Sequence, residues 1–327
     1  MMKKISIIIP IHNNEKQLSR CLNSFLIQKY EKLELICVDD HSRDNSLKIC
    51  QQYANQYENI ILKRLPKHLS GVSNARNYGL EVATGDIIGF SDADDTSVMG
   101  ALHCVNNDFE KNNNLKVVNY SFNVIDRKNN RKVRGKKEVI RSDNFINYLL
   151  YKENVQGFLW NKYFDKKIIN NIRFRTCLSK AEDLNFIFRV LAASPDAVVI
   201  ISNRFIYNYC YNDNSVSHTN TKNSDFDYLN SYLDLLNLKG ISKRTHSILK
   251  YRIYKQARDI KRIYTLNSEE RDLLDKLLKS CLIDYIGNYK LGWKDDTFST
   301  FKHVLGHLFP QLKNIYRKLG ESSNYEN

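Results

Sequence analysis

Apolar and polar residues follow one another in a pattern that predicts strands alternating with helices. Four short, mainly apolar runs are typical of buried parallel strands: residues 5–9, 33–38, 60–64 and 86–91. In the first segment between them, apolar residues recur with the spacing of one helical face: Leu18, Cys21, Leu22, Phe25 and Leu26. This alternation predicts a doubly wound α/β sheet, in which ligands bind at the carboxyl ends of the strands.

The pattern changes further along the chain. Residues 115–220 mix strand and helix, and the segment AEDLNFIFRVLAA predicts a helix with Glu182 and Asp183 in its first turn. Beyond that region the apolar spacing is almost purely helical. We therefore predict an α/β domain over 1–221, followed by a smaller, mainly helical domain over 222–327.

Composition narrows the class of protein. The 327 residues are 42% hydrophobic and 26% charged, which is an ordinary globular composition. No apolar run reaches the roughly 18 residues of a membrane-spanning helix, and we interpret the short N-terminal run as a first strand rather than a signal peptide. Seven scattered cysteines without a C-x-x-C pair favour neither a disulfide framework nor a zinc ribbon. These features predict a cytoplasmic protein.

The net charge of +14 includes two local concentrations, RKNNRKVRGKKEVIR (127–141) and KRTHSILKYRIYKQARDIKR (243–262), each with eight basic residues and one acid. Such segments attract anionic glycans, anionic lipids or nucleic acid, or they form a solvated face. They lack the interleaved aromatic residues of nucleic-acid stacking platforms, so no nucleic-acid partner is predicted.

Lys255, Arg258 and Arg262 share one face of a predicted helix. Three roles for the helical domain stay open: contact with an anionic acceptor, peripheral contact with the inner face of the plasma membrane, and packing or assembly into a homo-oligomer.

The segment GDIIGFSDADDTS places three acidic residues directly after an apolar strand. An apparently buried strand runs directly into Asp92, Asp94 and Asp95, and carboxylates this close repel one another unless a positive partner is present. The chain has neither the G-x-G-x-x-G of dinucleotide-binding proteins nor a P-loop, so no glycine cradle holds a phosphate. A divalent metal bound to carboxylates can instead carry a diphosphate leaving group.

Several ordered motifs resemble those of the family 2 glycosyltransferases, an inverting group with the GT-A fold, and the match covers roughly residues 3–217. The relevant segments are SIIIPIHNNEKQLSRCLNSFLIQ, ELICVDDHSRDNS, GVSNARNYGLEVATGDIIGFSDADD, LWNKYFDKKII and AEDLNFIFR. This resemblance implies a Rossmann-like nucleotide-diphospho-sugar transferase domain. Its nucleotide-sugar half would be about 1–97 and its acceptor half about 98–221.

The resemblance also implies roles on the donor side. Three residues after the first strand would line the nucleotide pocket: Pro10, His12 and Glu15. His12 stands where the family usually has tyrosine. Asp40 would accept a hydrogen bond from the base, as uracil offers one, and Arg76 would face the diphosphate or the sugar.

Asp94 would be the main ligand of Mn²⁺ or Mg²⁺, and Asp92 would contact the ribose or the metal. His218 is a further candidate metal ligand from the C-terminal side. Trp160 would wall the sugar site as a packing residue that also touches ligand. Asp183 would be the catalytic base, kept ionised by the helix N-terminus, which lowers a carboxylate's pKa.

Together these roles imply transfer of a sugar, from a UDP-sugar in particular, to a hydroxyl of a cell-surface glycan or lipid-linked precursor, with inversion. The sugar would be a hexose or an N-acetylhexosamine. Two alternatives remain at this point. A sugar nucleotidyltransferase on a similar fold would normally open with a glycine-rich loop that this chain lacks, and a nucleic-acid-binding protein is suggested by charge alone.

Overall fold

The computed structural model describes residues 1–126, 130–151, 157–211 and 221–288. Its first half is a regular alternation of strands and helices: β1 (Ile5–Ile11), α1 (Leu18–Leu26), β2 (Leu33–Asp39), α2 (Ser46–Gln56), β3 (Ile60–Arg64), α3 (Val72–Val82) and β4 (Ile87–Phe90). These four strands pair in parallel in the order β3-β2-β1-β4. The predicted α/β alternation is confirmed here.

The second half of the sheet is less regular. Its elements are β5 (Thr96–Ser97), α4 (Ala101–Lys111), β6 (Leu115–Ile125), β7 (Arg131–Val133), β8 (Glu138–Arg141), α5 (Ser142–Tyr151), β9 (Lys162–Asp165), α6 (Lys166–Ile169), α7 (Glu182–Ala192) and β10 (Val198–Cys210). Strand β9 lies between β4 and β6 and is antiparallel to both. The sheet is therefore mixed, because local periodicity does not encode the direction in which distant strands pair.

Three helices follow: α8 (Lys222–Leu236), α9 (Lys243–Ile263) and α10 (Ser268–Asn288). The predicted helical character of the C-terminal region is confirmed for these residues. The chain divides into two compact units, Met1–Leu249 and Lys250–Asn327. Within the described part of the chain, no helix combines the length and apolarity needed to span a bilayer.

Tight packing of α3 on the sheet fixes the position of the candidate site. A Cβ built on Gly79 would lie 2.4 Å from Cγ2 of Ile8, so only glycine allows this approach of helix to strand. Ile8 is fully buried in β1. Arg76 lies one turn before Gly79 on the same helix, and the close contact therefore holds Arg76 near the carboxyl ends of β1 and β4.

Candidate active site

The loops after β1, β2 and β4 meet at the carboxyl edge of the parallel strands, as the sequence predicted. His12 Nδ1 lies 2.6 Å from the carbonyl oxygen of Asp40. Asp40 in turn accepts a hydrogen bond through Oδ2 from the backbone N–H of Gly71, which precedes α3 (2.7 Å). These contacts join the ends of β1 and β2 to the start of α3, the edge where ligands bind in open α/β sheets.

Glu15 and His41 shape the loop that follows β2. Glu15 Oε2 accepts from the backbone and side-chain nitrogens of Asn45 (3.0 and 2.9 Å). His41 has a left-handed backbone with φ of 54°. Glycine adopts such a conformation without strain, whereas a residue with a side chain does so less readily. Pro10 pairs with Val38 inside the sheet.

Arg76 is the centre of the site. Its side chain is 5% exposed, and Nη1 donates to Asp183 Oδ1 (2.6 Å) and to Glu182 Oε1 (2.9 Å). Nη2 lies 3.3 Å from Asp92 Oδ1. Burial disfavours the charge of Arg76, but the three carboxylates outweigh burial and raise its pKa. One guanidinium thus connects the loop after β4 with the first turn of α7, two segments about ninety residues apart in the sequence.

Five buried side-chain polar atoms have no hydrogen-bond partner among the described residues, and three of these belong to the loop after β2 or to α3. These three are Asp40 Oδ1, Ser73 Oγ and Arg76 Nε. A buried polar group left unsatisfied costs about 1–3 kcal/mol, so these three atoms are candidates for contact with a polar ligand. Sequence reasoning did not single out Ser73. Its spacing of three residues from Arg76 on the same helix was the available signal.

The three aspartates after β4 have different surroundings. Asp95 is fully buried and accepts hydrogen bonds from the Tyr207 hydroxyl (2.9 Å) and from the backbone N–H of Cys210 (2.6 Å). Burial, with the charges of Asp92 and Asp94 added, raises the pKa of Asp95 to about 9. Asp95 therefore ties the loop to β10. No side chain among the described residues donates a hydrogen bond to the Asp94 carboxylate, whose pKa burial and Asp92 raise to about 6.

The carboxylate chemistry of this loop fits a divalent metal. In the described ranges no cluster of three or more His, Cys, Asp or Glu side chains forms a metal site. However, burial and neighbouring acids raise the pKa of both Asp92 and Asp94, which indicates negative charge that the protein compensates only in part. Mg²⁺ is usually held by one or two carboxylates plus phosphate and water, and Asp92 with Asp94 match that requirement. His218 lies outside the described residues.

Asp183 lies in the first turn of α7, with 16% of its side chain exposed. Burial raises its pKa, while Arg76 opposes the rise and Glu182 adds to it. The sequence predicted a pKa lowered by the helix N-terminus, whereas the net shift is upward and burial is its largest cause. Nearby, burial lowers the pKa of Lys162 to about 7, and the charge of Asp183 opposes that shift.

Trp160 is a packing residue, as the sequence predicted, and its contact with ligand stays a prediction. Only 3% of its surface is exposed, and its ring stacks with Tyr207 (4.8 Å) and Tyr209 (5.7 Å). Packing in the hydrophobic core therefore accounts for Trp160, and its ring does not form an open wall. The exposed ring next to it is Phe158, which stacks on Trp160 at 5.0 Å and is 39% exposed.

Comparison with known proteins agrees with this geometry. Residues 6–176 match Glycosyl transferase family 2, and the chain belongs to that family. It is therefore a glycosyltransferase by class, and neither the nucleotidyltransferase nor the nucleic-acid-binding alternative is supported. The predicted family and enzyme class are confirmed.

Two relatives with named activities match parts of this chain. Poly(ribitol-phosphate) beta-N-acetylglucosaminyltransferase TarP of Staphylococcus aureus is 32% identical over 198 residues, which is 59% of each protein. Poly(ribitol-phosphate) beta-glucosyltransferase of Bacillus spizizenii is 43% identical over 94 residues, 28% of this chain but only 15% of that protein. The matches thus span from 15% to 59% of these relatives' lengths.

The structure of S. aureus TarS residues 1–349 in complex with UDP-GlcNAc has a TM-score of 0.67 at 19% identity. That match covers 86% of this chain and 81% of TarS 1–349. It supports the predicted GT-A fold with a helical C-terminal region.

Proposed function

We propose that this protein transfers a sugar from a UDP-sugar to a hydroxyl of a bacterial cell-surface polymer or its lipid-linked precursor, with inversion at the anomeric carbon. Family membership and the names of the poly(ribitol-phosphate) transferases support this substrate class. The observation that carries the proposal is the bridge formed by Arg76, because it holds donor-side Asp92 and base-side Asp183 in one site.

The donor would bind where the three buried polar atoms lack partners. Asp40 Oδ1 would accept the N–H of a uracil, while Ser73 Oγ and Arg76 Nε would donate to the ribose or the diphosphate. Pro10, His12 and Glu15 would surround the nucleotide. The crystallised complexes of TarS with UDP and with UDP-GlcNAc support a uridine nucleotide for this fold.

Asp183 would act as the general base. It takes the proton from the acceptor hydroxyl as the acceptor oxygen attacks the anomeric carbon from the face opposite the diphosphate. The bond between that carbon and the diphosphate oxygen breaks, and its electron pair leaves with UDP. A base whose pKa is raised accepts a proton more effectively than an ordinary carboxylate.

A divalent ion, Mn²⁺ or Mg²⁺, would be held by Asp94 and Asp92, and His218 is proposed as a further ligand. When bound, such an ion would neutralise the charge that develops on the departing diphosphate. The structure of mannosyltransferase PcManGT from Pyrobaculum calidifontis in complex with GDP-Man and Mn²⁺, with a TM-score of 0.52 at 14% identity, supports a metal on a similar fold. Arg76 would supply the positive charge contributed by the protein itself.

The helical end is proposed to serve the acceptor rather than the donor, with the enzyme in the cytoplasm at the inner face of the plasma membrane. Homo-oligomer formation through these helices is the competing proposal. In unit Lys250–Asn327, Arg258 pairs with Asp259 (3.1 Å) and Arg262 lies 3.9 Å from the same carboxylate. Asp259 therefore offsets part of the positive charge on this face.

A hydrolysis screen tests the proposal. Purified protein with Mn²⁺ is incubated with a panel of UDP-, GDP- and ADP-sugars, and the released nucleotide is measured. We expect release of UDP from at least one UDP-sugar and none from GDP- or ADP-sugars. Absence of nucleotide release from the whole panel, or release of GDP alone, would contradict the proposed donor.

A further inference from the structure

Phe158 is a large apolar side chain that remains exposed beside the candidate site. Its ring keeps 39% of its surface accessible and stacks on the buried Trp160 at 5.0 Å with an interplanar angle of 15°. Trp160 also stacks with Tyr207, whose hydroxyl contacts the loop that carries the site aspartates. The exposed Phe158 ring thus packs on a column of stacked aromatic rings formed by Trp160 and Tyr207.

The backbone next to Phe158 packs against the helix that carries Asp183, the proposed base. A Cβ built on Gly157 would lie 3.0 Å from Cβ of Leu184, the residue that follows Asp183. Lys162 is fully buried, and its Nζ donates to the Phe158 carbonyl oxygen at 2.7 Å. Asn161 donates to the Tyr120 carbonyl at 2.8 Å. The segment that presents Phe158 therefore packs against the first turn of α7.

Packing contacts connect Phe158 with the segment that carries Asp183 and with the loop that carries Asp92 and Asp95. On one side the neighbouring residue touches the helix turn that carries Asp183, and on the other the aromatic column reaches the loop of Asp92 and Asp95. One face of the Phe158 ring covers the buried Trp160, and part of the ring surface stays accessible to a ligand. Binding sites for small polar ligands commonly add such rings to a few oriented polar groups.

We propose that Phe158 is a stacking platform for the acceptor, and that it contacts the carbon-rich face of the sugar or polyol unit that presents the attacking hydroxyl. This inference rests on the proposed function and adds the residue that positions the acceptor. The acceptor is favoured over the donor sugar because Phe158 is anchored to the helix of the base, which meets the acceptor hydroxyl. A ring fixed before binding orients its ligand at little entropic cost.

Three variants test the platform: Phe158→Leu removes the ring, Phe158→Tyr keeps it, and Tyr57→Leu is the matched control. Tyr57 is a half-buried ring that stacks on Tyr53 at 6.0 Å, and its backbone carbonyl accepts from Ile60 at the amino end of β3, away from the carboxyl edge that holds the site aspartates. Each variant is assayed for UDP release from UDP-GlcNAc, or from the UDP-sugar that the hydrolysis screen identifies, without acceptor and with increasing concentrations of a synthetic ribitol-phosphate oligomer. Melting temperature is measured in parallel.

The expected result is a rise of about three- to tenfold in acceptor KM for Phe158→Leu, which is the range of one aromatic contact. Phe158→Tyr and Tyr57→Leu should retain the wild-type acceptor KM, and donor hydrolysis without acceptor should be unchanged in all three. An unchanged acceptor KM in Phe158→Leu would overturn the platform. A rise confined to the donor KM would also overturn it, because it would assign the ring to the donor sugar. Wild-type protein that releases no UDP from any UDP-sugar of the hydrolysis screen would instead contradict the proposed function.

Discussion

The pKa values of buried carboxylates are shifted in opposite directions at the two ends of the same sheet. Glu34, near the amino end of β2, is 4% exposed and is held by Lys4 Nζ (2.8 Å), Ser6 Oγ (2.5 Å) and the Thr84 N–H (2.9 Å). Burial raises its pKa, but these hydrogen bonds outweigh burial and lower it to about 2. At the carboxyl end, the pKa values of Asp92, Asp94 and Asp183 are all raised.

The difference separates structural from functional acids. Glu34 has enough donors to remain charged in the interior, so its charge is compensated within the fold. Among the site carboxylates, Asp92, Glu182 and Asp183 share one arginine. The site carries negative charge that the fold leaves partly uncompensated. Such groups gain from a bound cation or proton, and carboxylates with raised pKa values in a cleft are candidates for catalysis.

The largest effect is expected at the base. Asp183→Asn removes the proton acceptor with little change in volume, and loss of general-base catalysis costs about 10²- to 10⁴-fold in kcat. Donor affinity measured by calorimetry should survive, because Asp183 does not hold the donor. Glu182→Gln is the comparison, since Glu182 contacts the same guanidinium and should cost less in kcat. Collapse of donor affinity in Asp183→Asn would show that the residue has a different role.

Asp94→Asn tests whether the carboxylates at the carboxyl end of the sheet bind a metal that activity requires. We expect the fold to remain intact while most turnover is lost, because one of the two proposed metal-binding carboxylates is gone. Chelation of the wild-type enzyme with EDTA should have the same effect, and added Mn²⁺ should reverse it. Asp196→Asn, at an exposed position, is the control. Activity that persists undiminished after chelation would exclude the metal-dependent proposal.

At the other end of the sheet, Glu34→Gln should lower the free energy of unfolding by about 1–3 kcal/mol, as expected when buried hydrogen bonds to a charged group are lost. Its pKa falls from 4.5 to about 2 on folding, so its contribution is complete above about pH 5 and disappears as the pH falls toward 2. Urea titrations at several pH values should therefore converge for wild type and variant in acid. Exposed Glu31→Gln should change little at any pH. A pH-independent difference would contradict this assignment.

A smaller effect is expected in the helical region. Replacing Lys255, Arg258 and Arg262 with Gln should raise the acceptor KM and spare donor hydrolysis, if this face attracts an anionic acceptor. The effect should shrink as salt rises, since ions screen exposed charges beyond about 8–10 Å. Pairing with Asp259 limits the change, because part of the charge is already offset. An unaltered KM at all salt concentrations, with a changed oligomeric state by light scattering, would favour assembly.

Local sequence patterns predicted the parallel strands, the position of the acidic loop after β4 and the start of α7. Those features depend on periodicity and capping within a few residues. The patterns did not predict that β9 inserts between β4 and β6, that Arg76 bridges two distant acidic segments, or that Phe158 stacks on Trp160. These features depend on contacts between residues that are remote in sequence, and no local spacing encodes them.

The configuration of the released sugar tests most directly whether Asp183 serves a single displacement in the site that Arg76 assembles. The enzyme is incubated with UDP-GlcNAc, whose sugar is in the α configuration, or with the α-linked UDP-sugar that the hydrolysis screen identifies. Proton NMR then follows the anomeric signal before mutarotation. We predict that the β anomer is formed first, because water activated by Asp183 attacks from the face opposite the diphosphate. Initial formation of the α anomer would contradict a single displacement with inversion.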